Sequence, residues 1–503
     1  MGVLKRQGIF SSIFTYIGFA IGAFNIFILY PNILTTEEFG LTRAMLVISG
    51  LIMQFSLFAV PSAMFKYYPY YRDNLDRKSS DYTALTFIVP LLGFIISLVC
   101  LLLFSNIFKV KFSANSILLV EYYYYLIPAA LFYLMFVMLK THCNIRLNAS
   151  LPTFFEDIGY KIYTVLMLLL YYFKIINFHG FILFFCCYYF FACIPLYLNL
   201  RMDKDFTFNL KISKVTRRLK WKLISYTLFI YVGVIIGELG EYVAPIFVSS
   251  YKGLSYTAVL AVALYMVSIL TVPQKALFGV SISILSDAWK RKDKALIERV
   301  YKKTSLNMMI IGMLIFVSIW LSIDQLLSFL PPEYLAAKPV ILLMSLGKLF
   351  DLACGINNEL LSTSNYWRFN FTSHILLLFL LIPLNAILIS RFGLMGSAYA
   401  SVISLTIYNS LRFLFIYKKF NLQPFSKNTL WSFISVVVLY FTINLIPANN
   451  ATLITKGLSM LLRSGLFLLS FSYCILRFKL SEDLYTLYRQ ILERIGIKLH
   501  KSS

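Results

Sequence analysis

Acid is scarce in this sequence. Of 503 residues only 22 are Asp or Glu, and charged residues of both signs make up 14%, where a soluble domain carries about 25%. So few charges cannot give a polar surface to a chain that is 59% hydrophobic, which excludes a string of soluble domains. Histidine is rarer still, and His142, His179, His374 and His500 form no metal-spaced set. The cysteines are scattered, mostly within apolar runs, with no C-x-x-C pair, so neither a metal centre nor a disulfide framework is expected. A P-loop and a dinucleotide glycine fingerprint are lacking, and no Ser/His/Asp arrangement suggests hydrolysis. The sequence predicts no enzyme, no cofactor and no metal.

What the sequence has is apolar length, with a mean hydropathy of +0.77. At ~20 residues per span, hydrophobic runs predict helices over 9–31, 41–65, 83–105, 118–140, 153–173, 178–200, 223–247, 255–278, 304–326, 339–361, 370–390, 393–417, 430–446 and 457–476. The fold expected is an all-α polytopic membrane protein with about fourteen transmembrane helices. The first run follows Lys5 and Arg6 as a signal peptide would. It is too long for a signal h-region and lacks a small-x-small cleavage site, so it reads as a retained span.

The net charge of +24 does not point to nucleic acid, because the cations punctuate apolar runs. With the N-terminus inside, 33 Lys and Arg fall in inside segments and 8 in outside segments. That bias predicts two cytoplasmic termini. Every outside loop is short. The most basic connection, 201–222, reads as a cytoplasmic linker between two halves. Segments 279–303 and 477–503 read as basic amphipathic stretches lying on the anionic inner leaflet.

An internal repeat supports two halves. Tyr16-Ile-Gly18-Phe-Ala-Ile-Gly22 and Tyr231-Val-Gly233-Val-Ile-Ile-Gly237 share Y-x-G-x-x-x-G, and Val60-Pro61 and Val272-Pro273 recur at nearly the same offset. Six spans separate the copies, as in a parallel transporter repeat. The expected parts are an N-terminal six-helix bundle over 1–200, a second bundle over 223–417 and two additional helices within 430–476. Gly18, Gly22, Gly233 and Gly237 are expected at close helix crossings.

Ionisable groups inside spans cost ~2.5–3.5 kcal/mol each on insertion scales, so they mark functional candidates. Lys161, Lys275, Lys348 and Arg412 come from four helices and would line a cavity that attracts an anionic head group such as a pyrophosphate. Glu238 and Glu241, one turn apart, and Asp351, at i+3 from Lys348, are candidates for proton or sodium coupling. Asp157 and Lys161 have salt-bridge spacing. Arg463 is expected to snorkel outward.

Three stretches resemble bacterial polysaccharide (O-antigen type) flippases of the multidrug/oligosaccharidyl-lipid/polysaccharide exporter superfamily. The first is Lys5-Arg6-Gln7-Gly8-Ile9-Phe10-Ser11-Ser12 with a first span and then Leu34-Thr35-Thr36-Glu37-Glu38-Phe39-Gly40. Here Thr35 and Thr36 would cap the next helix and Gly40 would permit the bend. The second is Arg391-Phe392-Gly393-Leu394-Met395-Gly396-Ser397-Ala398, and the third is Asp351 through Tyr366. The resemblance implies a flippase that moves undecaprenyl-pyrophosphate-linked oligosaccharide across the bacterial inner membrane by alternating access. It also implies membrane lipids and other glycan-assembly proteins as partners. The rival readings are a multidrug cation antiporter of the same fold, a membrane glycan polymerase or ligase, and a scaffold using 279–303.

Overall fold

The computed structural model describes residues 2–76, 80–202, 206–447, 452–486 and 488. All regular structure among them is helical. Ten helices are long and apolar enough to cross a membrane, or eleven if the bent pair Pro332–Ala353 and Asn357–Thr363 is one span. The protein is therefore an all-helical polytopic membrane protein. Helix occupies each of the expected segments, but those around 150–172, 254–269 and 427–444 are not among the eleven. A π-helical turn interrupts the first of these, and the second is only 16 residues long.

Contacts divide the chain into two units, Met1–Ala261 and Val262–Ser503. This is a division of packing. The duplication read from the sequence is a separate matter, and its boundaries remain a proposal.

In the first unit, α1 (Gly2–Phe24) continues through a π-helical turn, Asn25–Leu29, into Tyr30–Ile33. α2 (Thr36–Ser56) starts at Thr35, whose side chain accepts from the Glu38 N–H while the Glu38 carboxylate accepts from the Thr35 N–H at 2.9 Å. This capping box satisfies two donors that a helix start leaves open. Gly40 lies inside α2 and makes no bend. A Cβ there would come 1.9 Å from the Leu254 carbonyl oxygen, so the glycine allows the start of α9 (Leu254–Ile269) to cross α2 at backbone contact.

The second expected span is broken. Phe58 and Ala59 stand in the left-handed region, with φ of 45° and 51°, before α3 (Val60–Asn74) restarts with Pro61 in its first turn. Gly93 in α4 (Tyr82–Leu103) makes room, since a Cβ there would sit 2.3 Å from the Ser56 carbonyl oxygen. The other Val-Pro pair behaves the same way, opening α10 (Val272–Arg291) after a break at 270–271. Both copies of the dipeptide therefore start a helix after an interrupted span.

The unit is completed by α5 (Leu126–Ile145), α6 (Tyr160–Tyr172), α7 (Phe178–Arg201) and α8 (Lys214–Tyr251). Its core gathers Met64, Ala130, Leu134, Phe136 and Leu196. α8 is 38 residues long, about 57 Å at ~1.5 Å per residue. It begins well inside the expected linker 201–222, because Ser213 caps it and Val215, Leu219 and Leu223 pack on the core.

The second unit contains α10, α11 (Lys294–Trp320), α12 (Ala337–Ala353), α13 (Asn357–Thr363), α14 (Trp367–Phe392), α15 (Leu394–Phe420), α16 (Lys427–Asn444) and α17 (Leu453–Arg477). Gly393, at φ 60°, makes the one-residue turn of the α14–α15 hairpin. A Cβ on Gly396 would sit 2.1 Å from the Leu388 carbonyl oxygen.

Segment 279–303 spans parts of two helices. It is the end of α10 and the start of α11, joined at Lys292 and Asp293 with Asp293 capping α11. Its apolar face, Leu285, Ala288, Ile297 and Tyr301, is buried against Ile356, Leu360, Leu361 and Ile416. An amphipathic pattern fits a protein interface as well as a lipid surface, and here the protein takes that face. Most of the tail 477–503 lies outside the described residues.

Candidate functional site

The break between α12 and α13 organises a polar cluster in the second unit. Helix stops at residues 354–356, where Gly355 has φ 67° and a Cβ would come 2.9 Å from Ser305 Cβ. Charged and amide side chains gather around this interruption. Lys348 Nζ pairs with Asp351 Oδ2 at 2.6 Å. The other carboxylate oxygen accepts from Asn409 Nδ2 of α15 at 2.9 Å. Both members of the pair are about four-fifths buried.

One turn along α15 from Asn409, Arg412 is 3% exposed. It donates to Ser373 Oγ at 2.9 Å, to Asn370 Oδ1 at 2.5 Å and to Asn358 Oδ1 at 3.4 Å, and its guanidinium lies 4.0 Å from the Tyr408 ring centroid. Asn370 and Asn358 are themselves hydrogen-bonded, and Asn358 donates to Glu359 at 3.0 Å. A guanidinium has five donors in a fixed fork, and this amide-rich surround satisfies several of them without a directly bonded carboxylate. Arg412 is thus embedded in the network and does not face open space as the cavity reading expected.

The first unit has its own charged cluster where the π-helical turn Phe154–Gly159 meets α1. Wider helical turns of this kind are rare and recur at functional positions. Lys161 Nζ stands 3.7 Å from Asp157, the pairing the i, i+4 spacing implied. Asp157 also accepts from Thr15 Oγ1 at 2.7 Å, and buried Asn25 donates to the Lys161 carbonyl at 3.0 Å. A Cβ on Gly18 would come 2.6 Å from the Asp157 carbonyl oxygen, so the glycine lets α1 approach this turn closely.

Two cationic positions in this unit escaped the sequence reading. Lys140 of α5 pairs with Glu156, although the sequence reading leaves it at the end of the expected span 118–140 with no partner named. Adjacent acids on a helix point about 100° apart, so Glu156 and Asp157 need separate partners, and that was the signal available. Arg43, near the start of the expected span 41–65 but not among its site candidates, lies within α2, with its guanidinium 4.5 Å from the Tyr30 ring centroid and 5.2 Å from that of Phe39.

The remaining expectations divide. Glu238 and Glu241 are exposed on α8, with Tyr242 within charge-interaction range of both and Tyr133 within range of Glu238 and Glu156. Gly22 is buried and Gly233 partly exposed. Gly237 is not a crossing, since a Cβ there would meet nothing within 4 Å. Lys275 is in α10, and its side chain lies outside the described residues. Arg463 does not snorkel. It is buried on α17 and donates to Asn444 Oδ1 of α16 at 2.6 Å, because an amide inside the unit satisfies it more cheaply than lipid. Among the described residues no group of three or more His, Cys, Asp or Glu could hold a metal ion.

Charges inside apolar helices and a broken helix mark functional positions in membrane proteins. Solved structures carry the same arrangement of helices. The lipid II flippase MurJ in an inward closed conformation superposes with a TM-score of 0.69 over 95% of this chain and 99% of that one, at 17% identity. An inward-facing multidrug resistance MATE family transporter of the MOP superfamily gives 0.62 over 80% of this chain and 94% of that one, at 13% identity. An outward-facing multidrug resistance MATE family transporter of the MOP superfamily gives 0.51 over 83% of this chain and 96% of that one, at 14% identity. The fold is the MurJ/MATE fold. No family model and no curated protein matches the sequence.

Proposed function

We propose that the chain is a flippase that moves an undecaprenyl-pyrophosphate-linked oligosaccharide across a bacterial inner membrane by alternating access. The observation that carries this reading is the likeness to a lipid II flippase over 95% of the chain, together with the sequence likeness to O-antigen-type flippases. The excess of Lys and Arg in alternate connections supports two cytoplasmic termini and fourteen spans.

In this reading Lys161 and Lys348 supply the head-group contacts. Each is paired with an aspartate through its ammonium, and a pyrophosphate could displace that carboxylate while keeping the charge balanced. The displaced Asp351, with Glu238 and Glu241, is then available to bind a proton or sodium ion. Arg412 holds the broken helix in shape and Lys275 completes the cationic set. The chain acts with membrane lipids and other glycan-assembly proteins, and performs no covalent chemistry.

The test is leaflet accessibility of lipid-linked glycan in cells depleted of the protein, read with an outside-only lectin. Precursor that accumulates and stays inaccessible until the protein is restored supports translocation. Accessible but unpolymerised precursor places the function downstream. Unchanged glycan, with altered susceptibility to cationic drugs, favours the antiporter that the MATE likeness makes the second reading.

A further inference from the structure

The first unit contains a groove of about 410 Å³ between α3, α4 and α8, within the ~300–1,000 Å³ typical of ligand sites. It belongs to none of the charged clusters above. Its long walls are apolar, formed by Val60, Met64, Val89, Leu223 and Leu228. Its polarity is graded along its length. α3 and α8 run in opposite directions, with Tyr71 bonded to Thr216 at 2.8 Å at one end and Phe58 packed on Tyr231 at 5.0 Å at the other. Hydroxyls of Tyr71 and Thr216 and the ammonium-bearing Lys220 mark the first end, and the second is lined by Phe58, Val60, Ile224 and Leu228 with Thr227 as its one hydroxyl and no charge.

Thr216 and Leu228 are about 18 Å apart at ~1.5 Å per residue, close to one leaflet of a ~30 Å hydrocarbon core. The polar end is strongly basic. Residues 214–222 carry Lys214, Arg217, Arg218, Lys220 and Lys222 with no acid, and exposed Lys66 of α3 lies 3.7 Å from the Tyr226 ring centroid on the same seam. Of the acids near this end, Asp81 is buried and accepts the Ser213 N–H at 2.8 Å, and exposed Asp73 pairs with Arg72 at 2.9 Å.

We propose that this groove holds one acyl chain of an anionic phospholipid of the inner leaflet, with its phosphate at Lys220. An apolar channel one leaflet long with cations at one end matches a phospholipid in length, polarity and charge, and a zwitterionic lipid gains less from so basic a rim. A polyprenyl-linked substrate offers the same phosphate, but its much longer tail exceeds a groove one leaflet deep. The site shares no residue with the proposed transport site and stands or falls separately from it.

The experiment uses the full-length protein purified in detergent. Native mass spectrometry compares retention of dioleoyl phosphatidylglycerol and dioleoyl phosphatidylcholine, and phosphatidylglycerol carrying a photoreactive acyl chain maps the site. The expected result is one phosphatidylglycerol retained in preference, with labelling confined to residues 58–89 and 216–228. Lys220→Gln lowers retention about five-fold, Lys220→Arg preserves it, and Thr227→Trp, which fills the groove, abolishes the label. Equal retention of phosphatidylcholine, labelling elsewhere, or full retention by Lys220→Gln overturns the proposal. Displacement of phosphatidylglycerol by undecaprenyl phosphate also overturns it and makes the groove a path for a polyprenyl tail.

Discussion

Removing one charge from the Lys348–Asp351 pair separates a helix lock from a transport site. Asp351→Asn keeps an oxygen for Asn409 but leaves Lys348 as an unpaired, four-fifths-buried ammonium. The lost charge-assisted hydrogen bond is worth about 1.5–3 kcal/mol, and an uncompensated charge at this depth costs ~2.5–3.5 kcal/mol. These overlap, so the single variant is expected to lose about 3 kcal/mol, and Lys348→Met a similar amount. The double variant Lys348→Met/Asp351→Asn buries no charge. If the two sites were independent it would lose about 6 kcal/mol, whereas coupling predicts a loss of about 1 kcal/mol. Denaturation in detergent measures the cycle, and glycan flipping in proteoliposomes is measured on the same four proteins. The proposed function expects stability to return in the double variant while flipping does not. Recovery of both would make the pair a helix lock only, and additive losses of stability would refute the pairing itself.

Three further outcomes follow from the geometry. Gly40→Ala is expected to lose about 1–3 kcal/mol, because its Cβ would fall 1.9 Å from the Leu254 carbonyl oxygen, while Gly237→Ala, in open space, is expected to be neutral or to gain up to ~1 kcal/mol; thermal unfolding of the two variants checks the contrast. Arg412→Lys is expected to lose most of the stability that Arg412→Met loses, about 3–5 kcal/mol, because an ammonium cannot reach Ser373, Asn370 and Asn358 from one planar fork; the yield of monodisperse protein reads this. Thr35→Ala removes one arm of the capping box and is expected to cost about 1 kcal/mol, seen as a lower unfolding midpoint.

Much of the site is local, and what is local was legible. Lys348 and Asp351 are three residues apart, and Asp157 and Lys161 four, so helical spacing alone put each pair on one face. The capping of α2 by Thr35 also follows from residue type and order, whereas the Val-Pro pairs read only as a repeat and the breaks before them were not legible. Lys140 and Glu156 are separated by 16 positions and meet only because α5 lies beside the π-helical turn. The partners of Arg412 come from α13, α14 and α15, and that of Arg463 from α16. Nothing in the spacing of such residues reports their contact.

The sequence by itself determined that the chain is helical and lives in lipid, because apolar length and sparse charge are sums over neighbours along the chain. It also determined the Thr35 cap of α2, since a cap acts within a turn. Only the tertiary structure decided which charges are buried and which glycines touch a neighbour. Gly40 and Gly237 look alike in a hydrophobic run, yet one meets a carbonyl at 1.9 Å and the other meets nothing. The amphipathic face of 279–303 could satisfy lipid or protein equally, and the packing of α10 and α11 against α13 chose protein. Burial is a property of what folds against a residue, and for a helix in a bundle that partner comes from elsewhere in the chain.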